Sequence, residues 1–92
     1  MANPEQLPAV LNSAAAQPLL DLLKERLADN EPIILDGSAV SQLGQACLQV
    51  LLGARAAAGS RELTFIINNP SEALSMMADM AGCGELLFAG EA

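Results

Sequence analysis

Apolar residues along this chain fall into two spacings that take turns. Leu7-Pro8-Ala9-Val10-Leu11 is short and extended in character, and Pro8 cannot donate to a ladder, so the segment is expected at a strand's start or on a sheet edge. From Ala14 to Asp29 the spacing becomes helical. Ala16, Leu19, Leu20, Leu23 and Leu27 line one face, while Asp21, Lys24, Glu25 and Asp29 fall largely opposite. Ser13 can cap this helix with Pro18 near its first turn, and a regular start at Pro18 fits equally well.

Pro32-Ile33-Ile34-Leu35 is continuously apolar and ends in Asp36-Gly37, as expected of a strand covered on both faces. A second helix is predicted from Gln42 to Ala58. Its core stripe is Leu43, Ala46, Cys47, Val50, Leu51 and Ala54, its narrower polar stripe is Gln42, Gln45 and Gln49, and its stop is at Gly59-Ser60. Glu62 to Asn68 is rich in β-branched residues and reads as a strand. Asn69 is then a candidate cap, with Pro70 at the first helical position and Glu72 reaching back. Ala73, Leu74, Met77, Met80 and Ala81 form the predicted buried face of that third helix, Gly82 stops it, and Glu85 to Phe88 is a last strand candidate. The order β-α-β-α-β-α-β implies an α/β fold with a mostly parallel sheet and right-handed crossovers.

Composition narrows what such a domain can do. With 92 residues, one domain is expected, spanning 7–89, with a flexible N-terminus at 1–6 and a short tail at 90–92. Hydrophobic residues make up 52% and aromatic ones 2%, so the core must be built from aliphatic side chains. Eleven acids against four bases give a net charge of −7, and the bases, Lys24, Arg26, Arg55 and Arg61, do not cluster in the sequence. That leaves no basic footprint for nucleic acid or for an anionic membrane. No apolar run is long enough for direct membrane insertion, and no secretion signal opens the chain. Cys47 and Cys83 read as free thiols in a reducing compartment, which gives a cytoplasmic location.

Chemistry is sparse. Without histidine the commonest general base and metal ligand are both missing. Serine or cysteine nucleophiles would have to be activated by Lys24 or a carboxylate, and Lys24 belongs on a solvated helix face. Asp36 stands at the carboxyl end of a strand, where α/β folds bind ligands, but an Asp before Gly and Ser is also turn chemistry, which is the reading adopted. No glycine-rich phosphate cradle and no spaced acidic cluster occurs. No cofactor, metal or catalytic residue is expected. Met76, Met77 and Met80 read as core filler, with Met76 able to soften an interface. What stands out is the small, uncharged stretch from Ser38 to Cys47, a surface that lets another backbone come close with few charges to desolvate.

From Leu7 to Phe88 the chain resembles a STAS domain, the module of sulfate transporters and anti-sigma factor antagonists. The resemblance rests on Leu35-Asp36, on Val40, on the apolar helix Leu48 to Leu52, and on Asn69-Pro70-Ser71 and Met80-Ala81-Gly82. It implies a STAS-like sandwich, a mostly parallel sheet of four to five strands against three to four helices. Gly44-Gln45-Ala46-Cys47 stands where the family has Asp-Ser-Ser-Gly, so the family's phosphoserine position is Ala46, which cannot accept phosphate, and Gly44 replaces the preceding aspartate. Ser38 and Ser41 are the nearby substitutes. The resemblance implies a non-catalytic bacterial module that binds another protein through Ser38, Ser41, Gln42, Gly44, Gln45, Ala46 and Gln49. The implied partner is an anti-sigma-like kinase or a chemotaxis component. The alternatives are the ATPase of a lipid-trafficking ABC transporter, a nucleotide-responsive role, and a homodimer.

Overall fold

The structure is a computed structural model and describes residues 5–84 and Leu87. Its elements are β1 (Glu5–Gln6), β2 (Val10–Leu11), α1 (Ser13–Ala28), β3 (Ile33–Asp36), β4 (Gln42–Leu43), α2 (Gln45–Ser60), β5 (Phe65–Asn68) and α3 (Glu72–Met80). Every strand pair is parallel, as the alternation of strands and helices implies.

The single sheet expected from the sequence is divided in two. β1, β3 and β5 form a three-stranded sheet in the order β1-β3-β5, while β2 pairs only with β4. The Leu7 N–H bonds the Asp36 carbonyl at 2.9 Å, and beyond Gly37 the two chains part, the Ala9 carbonyl accepting from Ser41 and Gln42 instead. Pro8 sits where an N–H would point away from β3, as an edge strand allows. Glu5 and Gln6, expected to be loose, are instead paired with Leu35 and Asp36 in β1. Arg26 secures that edge by donating to Glu5 at 2.8 Å.

α1 and α2 lie side by side and run the same way. Near their starts the Cys47 thiol donates to the Asn12 carbonyl at 3.3 Å, and near their ends Arg61 Nη1 donates to the Leu27 carbonyl at 2.6 Å. α1 begins after Asn12, whose side chain accepts the Ala15 N–H at 3.2 Å, so Ser13 is not the cap and the helix starts well before Pro18. α2 begins at Gln45, three residues later than predicted, because Gln42 and Leu43 are drawn into the ladder with β2. It runs through Gly59 instead of stopping there. The cap of α3 is Ser71 instead of Asn69: its Oγ accepts the Leu74 N–H at 3.0 Å. All three helices close the same way, with Asn30, Glu62 and Gly82 in the left-handed region at φ 53°, 58° and 74°.

The core is aliphatic, with Leu7, Leu11, Leu23, Ile33, Leu35, Leu51, Ile67 and Leu74 all but fully buried. Each contributes about 1.5–3 kcal/mol by leaving water. The strand expected at Glu85 to Phe88 lies mostly outside the described residues. Where its span is described, at Leu87, the N–H bonds the Cys83 carbonyl at 2.8 Å, a helical spacing.

Candidate functional site

The stretch from Gly37 to Gly44, a loop that runs into β4, is clamped from both sides. On one side the Gly37 N–H bonds the Asn68 carbonyl at 2.9 Å and the Ser71 N–H bonds the Gly37 carbonyl at 3.1 Å. Ser71 Oγ also donates to the Val40 carbonyl at 2.5 Å. On the other side the N–H groups of Ser41 and Gln42 both reach the Ala9 carbonyl, at 2.8 and 3.1 Å, and the Gly44 N–H reaches the Leu11 carbonyl at 2.8 Å. Val40 fills the space beneath and is buried. A loop held at so many backbone points presents its outer side chains in one arrangement, which limits the ordering entropy left for a partner to overcome.

Asp36 takes the turn role. Its carboxylate accepts the Ser38 N–H at 2.8 Å. Hydrogen bonds from the Ser38 hydroxyl and N–H, with a smaller one from the Asn69 side chain, hold the carboxyl below its ordinary range. A carboxylate so engaged is a poor proton acceptor. Ser41 is occupied as well, since its hydroxyl donates to the Ala9 carbonyl at 3.1 Å.

α2 then opens without a side-chain cap, because Gly44 has none to offer, and without an acid in its first turn. A Cβ on Gly44 would meet the Leu11 carbonyl oxygen at 3.2 Å, which explains the small residue. Gln45 and Ala46 are exposed, while Cys47 and Leu48 turn inward. Ala46 was counted in the core stripe from its spacing. The later start of α2 and the packing of Cys47 against Asn12 rotate it outward. Burial raises the Cys47 thiol's pKa, which leaves it an inert filler.

The residues singled out from the sequence thus reach the surface: Ser38, Ser41, Gln42, Gln45, Ala46 and Gln49 are exposed and Gly44 is half-buried. They do not form one patch. Gly44 and Gln45 border a groove of about 370 Å³ shared with Leu43, Leu48, Met77, Met80 and Ala81. Gln49 lines a different groove, between α1 and α2.

The methionines correct the sequence reading. Met77 and Met80 were expected in the core, yet they are 39% and 79% exposed, with Met76 at 53%. Leu74 and Ala78 alone fill the inner face of the nine-residue α3, and Ala81 is exposed too. Exposed methionines on a helix of this length were legible as a patch only if one turn's Leu-Ala pair was taken as enough to seat it.

A family model described as "Mlab, STAS domain" matches residues 6–88. The chain belongs to the STAS family. No curated protein and no solved structure matches it. STAS domains are in general non-catalytic regulatory or interaction modules. Within this STAS chain, among the described residues, no group of three His, Cys, Asp or Glu is placed to hold a metal ion, and no helix is long and apolar enough to cross a membrane.

Proposed function

We propose that this STAS domain is a bacterial, cytoplasmic, non-catalytic adaptor that docks another protein on the face formed by the start of α2 and the outer side of α3. The observation that carries the reading is the groove between Gly44-Gln45 and Met77-Met80. It pairs the uncharged Gln45 side chain and backbone N–H groups lacking a side-chain cap with flexible thioethers. Glutamines cost less to desolvate than charges, and methionines adapt to the shape of an incoming side chain. Ser38, Ser41, Gln42 and Ala46 form the rim of the proposed surface, while Gln49 falls on the other groove.

Two kinds of partner fit: an anti-sigma-like kinase or chemotaxis component, and the ATPase of a lipid-trafficking ABC transporter. One feature favours the second. The family's phosphoserine position is an exposed alanine, Ala46, and the hydroxyls of both nearby serines are engaged, Ser38's with Asp36 and Ser41's with the Ala9 carbonyl. Docking that is not switched by phosphate suits a permanent subunit better than a partner-switching regulator.

Affinity capture from the native cell, with the wild-type chain and a Gln45→Arg variant in parallel, tests the reading. One specific protein lost from the Gln45→Arg sample is the expected result. Equal recovery of that protein on both would contradict docking at the start of α2. Phosphate found on Ser38 or Ser41 in the captured chain would remove the argument for a permanent subunit.

A further inference from the structure

A second concave surface lies on the opposite flank of α2, where α1 and α2 run side by side. It holds about 440 Å³ and is lined by Leu20, Leu23, Leu27, Val50, Ala54 and Ala57, with Gly53, Lys24 and Gln49 completing it. Small-molecule sites typically occupy about 300–1,000 Å³ and combine an apolar lining with a few polar groups.

The groove exists because α2 presents small residues toward α1. The Cβ position of Gly53 has no heavy atom within 4 Å, so the wall is open where a larger residue would close it. Leu20, Val50 and Ala57 are only half-buried. Lys24 is the one ionisable residue on the lining, and it is exposed. The neighbouring cations are committed elsewhere, Arg26 to Glu5 and Arg61 to the Leu27 carbonyl. The helices are parallel, so Gln49, near the start of α2, marks one end of the groove and Lys24, in the second half of α1, marks the other. On α2 the lining runs from Gln49 to Ala57, about 12 Å along the helix, room for an extended alkyl chain of roughly eight carbons.

We propose that this groove binds a free medium-chain carboxylic acid, with the alkyl chain against Leu20, Val50 and Gly53 and the carboxylate at Lys24. A single ammonium, with no second cation on the lining, matches a single negative charge better than a phosphate's two. The proposal stands apart from the docking face, and its test uses residues outside that face.

The test is titration of the whole chain with octanoate, octanol and octylamine, followed by calorimetry and by amide chemical shifts. Saturable one-to-one binding of octanoate is expected, with shifts centred on Leu20, Lys24 and Gly53. Lys24→Gln weakens octanoate about two- to fivefold, the size of an exposed ion pair, and leaves octanol unchanged. Gly53→Leu fills the groove and abolishes both, while an unchanged or raised melting temperature shows that the fold is intact. Any of four results would overturn the proposal: no saturable binding, octylamine binding as well as octanoate, no effect of Lys24→Gln, or sedimentation with anionic vesicles without binding of free octanoate.

Discussion

Gly37 and Leu74 meet so closely that a Cβ on the glycine would lie 2.6 Å from Leu74 Cδ2. The contact seats the clamped loop against the inner face of α3, and both are buried. Because α3 carries the exposed methionines and the loop leads into α2, this contact sets the spacing of the two sides of the proposed docking groove. Gly37→Ala is expected to destabilise the fold by about 1–3 kcal/mol, the range for overpacking a well-filled core. Chemical denaturation measures it, and an unchanged midpoint would show that Leu74 moves aside freely.

The Asp36 turn gives the stability a pH dependence of known sign. The folded carboxyl has a lowered pKa. Its contribution is therefore present above the unfolded value, about 3.9, and is lost as pH falls through the lower folded value. Asp36→Asn should melt below the wild type at neutral pH, and the gap should close as the pH drops below about 4. A gap that stays constant across that range would mean the carboxylate's charge is not what holds Ser38.

Glu62 follows the end of α2 at φ 58°, where a side chain is strained and glycine is not. It is exposed, so little packing is lost on truncation. Glu62→Gly should raise stability by up to about 1 kcal/mol, through relief of the left-handed strain. Asn30→Gly, at the matching position after α1, should give a smaller gain because asparagine tolerates this conformation.

The two thiols should differ in reactivity. Cys47 is fully buried and its pKa is raised by burial, whereas Cys83 is half-buried. Under native conditions an aromatic disulfide reagent should modify Cys83 first and reach Cys47 only on unfolding. Equal rates would show that the contact of Cys47 with Asn12 opens readily.

Much of this was legible in the sequence, and the losses have identifiable causes. The parallel α/β order followed from the alternation of apolar spacings, and the buried positions Leu19, Leu23, Leu27, Cys47, Leu51 and Ala54 followed from helical periodicity. Two-residue strands such as β2 and β4 carry no periodicity of their own, so the division of the sheet at Pro8 and the late start of α2 at Gln45 were hidden. Capping passed from Asn69 to Ser71 because Ser71 is also needed by the Val40 carbonyl, a contact far away in sequence. The face at the start of α2 was visible as a run of small uncharged residues. Its other half, Met77 and Met80, was not, because an apolar residue on a short helix gives no sign of which side it takes.

Amide hydrogen exchange on the chain, alone and bound to the protein captured with it, tests the docking face most directly. The account predicts new protection over Gln42–Gln49 and over Met76–Ala81, with α1 unchanged. Protection confined to α1, or to the β1 edge at Glu5–Gln6, would contradict it.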